Sequence, residues 1–550
     1  MRFVFALLLL ASTLSCEREP DAADNTLRFI NRGDIFTLDL NQMSYLQDFR
    51  VTYAIREGLY APAGPEFTPI PAGALRCDLS EDKRVYTFHL RPDARWSNGD
   101  PVTAWDYLFS WRRMLEEPGE YTFFLYAVEN AEAYQKAYQA DKPISFEAVG
   151  AKAIDDHTLR VTLDRPIAYF LDLVAFPALY PRHSESMKPF LRATASGKTY
   201  YTNEYTRPPH VVTNGPFKLT KWEFKRVLRM ERNPHYWDAA NVKLDAIENI
   251  VNDNVLSQFL QYEAGAADWI SEVPPDLAPE LRKANRPDLQ STTAFGTAFL
   301  TLYCQPKFHP EVLGGSDNPL SDVRVRQALS MAIDRTIITQ GITRMGEVAA
   351  EHYIPPGTLP GYTSLPGLRY NVEQARKLLA EAGYPDGRGF PKIPIRYNTE
   401  NKTREKIVQS LKQQWKANLN IDLEIEGLEG KVFSQRNGER KYAISTVAWF
   451  GDYPDVSTFT DKYRSNSQLN DAAWHVPEYD ALLNRAADET DPARRLELLQ
   501  QAEQMINTQV PIIPLYHYVN STLVGPRVKG ISVNARSMTI WKNVSLEAKR

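Results

Sequence analysis

The feature that most constrains the fold is the alternation of helix and strand signals between residues 321 and 519. Ser321 stands where an N-cap belongs, ahead of a stripe of Val325, Leu329, Ala332 or Ile333, and Ile337 that stops at Gly341. Asn371 and Gln374 open a second helix, with Leu378, Leu379 and Ala382 inside and Gly383 just past its end. Ile407 or Val408, Leu411, Trp415 and Leu419 mark a third helix, and Ile421 to Glu426 then alternates as a strand. Leu496 to Ile506 reads as a last helix, and Pro511 to Val519 returns as an apolar strand carrying Tyr516 and Tyr518. A chain that alternates in this way builds an α/β lobe whose ligand face lies at its strand ends.

One lobe cannot hold the whole chain. At 550 residues and 43% hydrophobic, the sequence exceeds the size at which a single core stops growing, so two or three compact units are expected. In the first half Thr26 to Asn31 alternates as a strand, and Val51 to Leu59 reads as a helix ending at Gly58. Pro and Gly punctuate Tyr60 to Leu79, marking a change of unit. Val85 to Leu90 is a strand, followed by a turn at Asn98-Gly99 and a helix whose Thr103 and Asp106 have capping-box spacing. Trp96, Trp105 and Trp111 are read as core rather than as a ligand box. A Tyr-rich helix over 121–139, a strand at Thr158 to Leu163, a hairpin over 212–230, a strand at Ile247 to Val251 and a helix over Val255 to Ala264 follow.

Composition excludes several function classes. The net charge is -4 with both signs interspersed, and no basic stripe marks a nucleic-acid partner. The nine His are scattered singly, without the spacing of a metal site, and no cofactor is implied. No P-loop and no G-x-S-x-G elbow occurs, which leaves a secreted hydrolase as a distant alternative. The 28 Tyr, 24 Phe and 10 Trp suit concave ligand sites as well as cores.

Met1-Arg2 and the apolar run Phe3 to Leu10 form an export signal too short to cross a bilayer as a helix. The run Thr13 to Cys16 resembles a lipobox, with Ser15 before Cys16 and a charged tether (Glu17 to Asp21) after it; Thr13 departs from the usual Leu or Val. The expectation is an exported protein, at the cell surface or in a periplasm, held to the membrane by lipid on Cys16. Cys77 and Cys304 are far apart in sequence and read as two buried thiols, with pairing the alternative.

The stretch Val447 to Phe459 carries the most chemistry. It begins as a strand end and breaks at Gly451 and Pro454, bringing Trp449, Asp452 and Tyr453 together where a sheet edge meets a loop. A carboxylate between aromatics suits a ligand amine. Asp452 could equally close an Asx turn before Pro454, and the local pattern alone favours the turn.

Five motifs in order resemble the oligopeptide- and dipeptide-binding proteins of ABC importers, extracytoplasmic solute-binding protein family 5. They are T-F-H-L-R-P-D-A-R-W-S-N-G-D-P-V-T-A-W-D (87–106), T-N-G-P-F-K-L (213–219), E-R-N-P-H-Y-W-D (231–238), D-V-R-V-R-Q-A-L-S-M-A-I-D-R (322–335) and A-R-K-L-L-A-E-A-G-Y (375–384). The resemblance spans nearly all of the chain beyond the signal.

It implies an α/β fold of the periplasmic-binding-protein type II-like kind, a two-lobed clamp in its three-domain peptide-binding variant. Mapped here, 1–16 is the signal, 17–25 the tether, 26–58 with 183–293 and 519–550 the first domain, 59–182 an inserted small domain, and 294–518 the opposing lobe. The ligand would lie between the first and third domains, its main chain paired like an added strand. Asp452 would hold the peptide α-amino group beside Trp449, Phe450 and Gly451, which reverses the weighting the local pattern gave. Tyr121 matches a cleft tyrosine, Asp34, Ile35 and Phe36 the edge that pairs with the peptide, and Tyr518 or Tyr516 a tyrosine of the returning strand. A monomer that hands its peptide to a membrane permease with a partner ATPase is the implied role.

Two departures stand out: Gly430 replaces the family's Trp in E-W-K, and Thr446 replaces an Arg available to a peptide carboxylate. A non-peptide solute (a nickel chelate, haem or a sugar) or a cell-wall peptide is therefore the alternative within the fold.

Overall fold

Two long strands, Leu289–Leu302 and Ile512–Val524, run antiparallel through the middle of one eleven-stranded sheet. The computed structural model describes residues 25–548, apart from 65, 66, 143, 196 and 532. On one side of the pair the sheet continues through Trp269–Ile270, Thr26–Ile30, Ala246–Ile250 and the hairpin Val227–Arg232 with Phe217–Glu223. On the other it continues through Ile444–Phe450, Ile393–Asn398 and Leu423–Leu428. Thr26–Ile30 is parallel to both of its neighbours, and so is Ile393–Asn398, as expected where helical crossovers link the strands. Both halves of the molecule thus hang on the same two strands. Their pairing is interrupted once between the halves: Thr293 lies opposite Val519, and the ladder resumes only at Thr297 opposite His517.

Each half has its own core. In the first, Phe29 stacks on Trp269 and Trp541 packs at an angle against both. Leu329, Leu411 and Trp415 fill the second, where the Trp415 Nε1 donates to the Leu329 carbonyl at 2.8 Å. A separate four-stranded sheet, in the order Ala74–Leu79, Val85–Leu90, Thr158–Thr162, Ala151–Asp155, carries the helix Ala104–Glu116 and buries Trp96, Trp111 and Phe88. The capping box predicted at Thr103 and Asp106 is present.

Local reading failed where polar side chains do structural work. The helix predicted over 51–59 is Leu46–Ile55, because its first turn buries Gln47 and Asp48 and so hides the apolar pattern. The segment 121–139 is two elements, a 3-10 turn Thr122–Ala127 and a helix Ala131–Gln139, divided by Asn130 at φ 60. Asp322 rather than Ser321 caps the helix Val323–Met331, accepting from the Arg324 N–H at 2.8 Å, while Ser321 closes the turn before it. Ile337 does not continue that helix's stripe; it is exposed and begins a π-helical segment, Ile337–Thr343. Trp105 is solvent-exposed, its Nε1 donating to Asp156 at 3.0 Å. Cys77 and Cys304 are free, each only half-buried. Cys16, the signal and almost all of the tether lie outside the described residues.

Candidate functional site

Ile444–Phe450 is an inner strand, antiparallel to Leu289–Leu302 and parallel to Ile393–Asn398. Successive side chains on a strand point to opposite faces, so Trp449 and Phe450 diverge. Phe450 stacks on Tyr518, ring centroids 5.0 Å apart, and Tyr518 packs edge-on to Tyr516 at 5.1 Å. Trp449 turns the other way, its Nε1 donating to the Thr458 carbonyl at 2.8 Å. Glycine at two facing positions makes this possible. A Cβ on Gly296 would meet the Phe450 ring at 2.3 Å, and one on Gly451 would meet the Phe295 ring at 2.1 Å.

Beyond the strand, the Asp452 N–H donates to Thr458 Oγ1 at 2.9 Å. The turn that follows is closed by Asp455, whose Oδ1 accepts from the Ser457 N–H at 2.9 Å. Asp455 is also held by Arg495 through two hydrogen bonds of 2.7 and 2.8 Å. Asp452 is left with no hydrogen-bond donor to its carboxylate among the described residues. Burial pushes that carboxyl up to about 7; the Arg536 guanidinium pulls it down and Glu120 pushes it further up. Arg536 Nη2 donates to the Asp452 main-chain oxygen at 2.6 Å rather than to the side chain.

Asp452 and Trp449 border a cavity of about 430 Å³. Its other wall is the small unit, through Phe123, Phe124, Tyr126 and Tyr169. Tyr121 stands beside it, packed on Phe49 and Phe176; burial raises its hydroxyl pKa, with Asp452 and Glu120 adding to the shift. Other predicted contact residues lie elsewhere. Ile35 is buried in the first core. The N–H groups of Ile35 and Phe36 already donate to Asp34 Oδ1 at 2.9 Å and Asp48 Oδ1 at 2.8 Å. Asp34 also accepts from the Lys225 N–H at 2.8 Å. Phe36 is exposed and stacks on Tyr45. Tyr516 is buried in the second core, and Tyr518 is partly buried against the same core.

The two departures have local accounts. At Gly430 the nearest atoms a Cβ would meet are those of the Glu400 carboxylate, at 2.8 Å, the end of a flexible side chain. Thr446 is buried with its hydroxyl unpartnered, and its carbonyl accepts from Arg404 Nη1 at 3.3 Å. Arg404, Arg536 and Glu120 were not singled out from the sequence: Arg536 sits in an irregular tail without periodicity, and the other two look like ordinary surface charges. Among the described residues no group of three or more His, Cys, Asp or Glu could hold a metal ion, and no helix is long and apolar enough to cross a membrane.

This two-walled cleft on a shared sheet has known counterparts. Residues 68–471 match the model of the bacterial extracellular solute-binding proteins, family 5 Middle. The chain belongs to that family. It is 30% identical over 483 residues to the oligopeptide-binding protein OppA of Bacillus subtilis, covering 86% of this chain and 83% of that one. It is 31% identical over 486 residues to the dipeptide-binding protein DppE of the same organism, covering 87% and 84%. Among solved structures, the periplasmic murein tripeptide binding protein MppA in its unliganded open form superposes with a TM-score of 0.77 at 28% identity, covering 96% of this chain and 98% of that one. The type II-like α/β clamp expected from the motifs is therefore the fold of this family member.

Proposed function

We propose that this family 5 protein is the extracytoplasmic peptide-binding component of an ABC importer and that Asp452 anchors the peptide α-amino group. The observation that carries this reading is the Asp452 carboxylate: half-buried, facing a cavity, and given no donor by the described residues. In the turn that follows Pro454 the Asx-type hydrogen bond is made by Asp455, to the Ser457 N–H, which supports a ligand role for Asp452. An ammonium would supply the missing donor, in a charge-assisted hydrogen bond worth roughly 1.5 to 3 kcal/mol. Relatives named for oligopeptide and dipeptide binding support peptide as the ligand class.

The ligand extends from Asp452 along the Phe450 and Tyr518 wall, with Trp449, Gly451 and Tyr121 shaping its amino end. At the Asp34 to Phe36 edge the Ile35 and Phe36 N–H groups are in use, so pairing there falls to the carbonyl oxygens and the Asp34 N–H. Binding, not turnover, is the function. The peptide touches both halves only when they close, so it shifts an open-closed equilibrium by its differential affinity. The interrupted ladder between Thr293 and Thr297 is the place where the connecting strands bend. The loaded form, a monomer in three domains mapped as above and tethered by lipid on Cys16, docks on a permease whose partner ATPase drives import. Native mass spectrometry of protein purified from its host tests the ligand class: co-purified peptide masses are expected, and a haem, metal chelate or sugar in their place would overturn the peptide reading.

A further inference from the structure

The gap in the ladder between the two long strands is filled from the tail of the chain. Phe295, inside the gap, donates its N–H to the Ala535 carbonyl and accepts from the Gly451 N–H, each at 2.8 Å. A loop of the tail thus satisfies the hinge strand where its usual partner lapses. That loop closes on itself, since the Asn534 side chain donates to the Met538 carbonyl at 2.8 Å and accepts from the Met538 N–H at 3.2 Å. It is fixed from two further sides. Asn520, on the strand Ile512–Val524, donates to the Asn534 and Ala535 carbonyls at 2.8 and 3.1 Å. Arg50, buried on the helix Leu46–Ile55 of the first half, donates to the Ser537 carbonyl and hydroxyl, each at 3.0 Å. Next to Ala535, Arg536 donates through Nη2 to the Asp452 main-chain oxygen at 2.6 Å. Its guanidinium also lies 5.8 Å from the ring centre of Phe67, in the small unit.

We propose that this loop is a strap coupling the hinge to the ligand anchor, and that Arg536 is the positioning residue through which it acts. Two adjacent residues of the loop hold two adjacent residues of the site: Ala535 reaches Gly451 through Phe295, and Arg536 reaches Asp452 directly. A rotation at the interrupted ladder moves Phe295, so it is felt at the anchor. The Arg536 bond goes to the main-chain oxygen, which fixes the turn and leaves the carboxylate to the ligand. Its charge acts separately. The guanidinium draws the Asp452 carboxyl toward the ionised form, the form that can pair with an ammonium. Because Arg50 ties the loop to the first half while Asp452 belongs to the opposing lobe, opening the cleft strains the Arg536 bond and closing it restores the bond. This inference rests on the amine-anchor reading above.

Calorimetry with penta-alanine between pH 5.5 and 8, on the parent, Arg536→Gln and Arg536→Lys, tests it. Both variants keep a polar end at a position that is only partly buried. Arg536→Gln removes the charge and is expected to weaken binding about tenfold at pH 7.5. It is also expected to move the acid limb of the affinity profile upward by about half to one pH unit. Arg536→Lys keeps the charge without the fork of donors, so the limb is expected to stay near the parent's position while affinity recovers only in part. An unmoved limb in the Gln variant, with or without lost affinity, overturns the inference, because a merely structural contact would not shift it. A Lys variant whose limb moves as far as that of Gln overturns it too. In both cases the parent's own acid limb leaves the amine anchor in place. A parent that binds no peptide, or binds it with a flat profile, overturns the amine-anchor reading and the strap with it.

Discussion

The ring of Tyr169, in the small unit, lies flat on the ring of Tyr453, with centroids 4.4 Å apart and planes within 11°. This contact joins the unit carrying Phe123 and Tyr126 to the turn carrying Asp452, and it forms the floor of the cavity. The site's geometry therefore depends on how that turn is held, and several consequences can be measured.

Asp452→Ala removes the carboxylate without disturbing the main-chain bonds to Thr458 and Arg536. Peptide affinity is expected to fall by about 1.5 to 3 kcal/mol, roughly one to two decades. Unchanged affinity by calorimetry would remove Asp452 from the amine-anchor role.

The same carboxyl gives binding a pH dependence. Its pKa in the ligand-free protein is raised to about 7 by burial, and only the ionised form can pair with an ammonium. Ionised carboxylate is lost as pH falls through 7, so affinity at pH 5.5 is expected to be about tenfold or more below that at pH 7.5. Above pH 8 the ligand's own α-amine deprotonates and affinity falls again. A flat profile measured in matched buffers would contradict the assignment.

Asp48 supplies a stability test away from the cavity. Its Oδ1 accepts from the Phe36 N–H, its Oδ2 is buried without a partner, and burial raises its pKa to about 7. The folded state then holds a proton that the unfolded chain releases near pH 4. The stability this provides is present at low pH and is lost as pH rises through 7. Asp48→Asn keeps the acceptor and removes the titration. It is expected to be roughly 1 to 3 kcal/mol more stable than the parent at pH 8, with the gap narrowing as pH falls and closing only near pH 4 in urea melts.

Arg495→Ala strips the partner from Asp455, which is 11% exposed against 13% for the arginine. Leaving a mostly buried carboxylate unpaired costs about 3 kcal/mol. Because Asp455 closes the turn after Asp452, peptide affinity is expected to fall as well. Loss of stability with full affinity would show that the turn holds itself without the ion pair.

Cys16→Ser addresses the lipid anchor expected from the lipobox-like end. The variant is expected in the soluble fraction of cells that sediment the parent with membranes. Equal sedimentation of both would show that the anchor is elsewhere.

Elements built from apolar periodicity were legible in the sequence. The stripe of Leu411, Trp415 and Leu419 forms the helix Lys402–Leu419, and the cap at Asn371 accepts from the Gln374 N–H at 3.0 Å. What escaped was set by polar side chains acting across the chain. Asp48 reaches back to Phe36 and buries the first turn of its helix, and Asp322 competes with Ser321 for one cap. At the site, Trp449 and Asp452 were legible because a strand end, a glycine and a proline fall together. The opposite wall was not, since Phe123 and Tyr126 come from a stretch read as one helix. Nor does any local pattern say that Phe450 and Trp449 serve different faces of the sheet.

The aromatic trio of Phe29, Trp269 and Trp541 sets an order of assembly. Its members come from the beginning, the middle and nearly the end of the chain. The first half of the molecule cannot complete its core until residue 541 has emerged, whereas the small unit draws nearly all of its core from residues 40–180. The lobe begun first is therefore finished last. A truncation that removes only the final dozen residues would strike the core that holds the first strand, at the opposite end of the sequence from the cut.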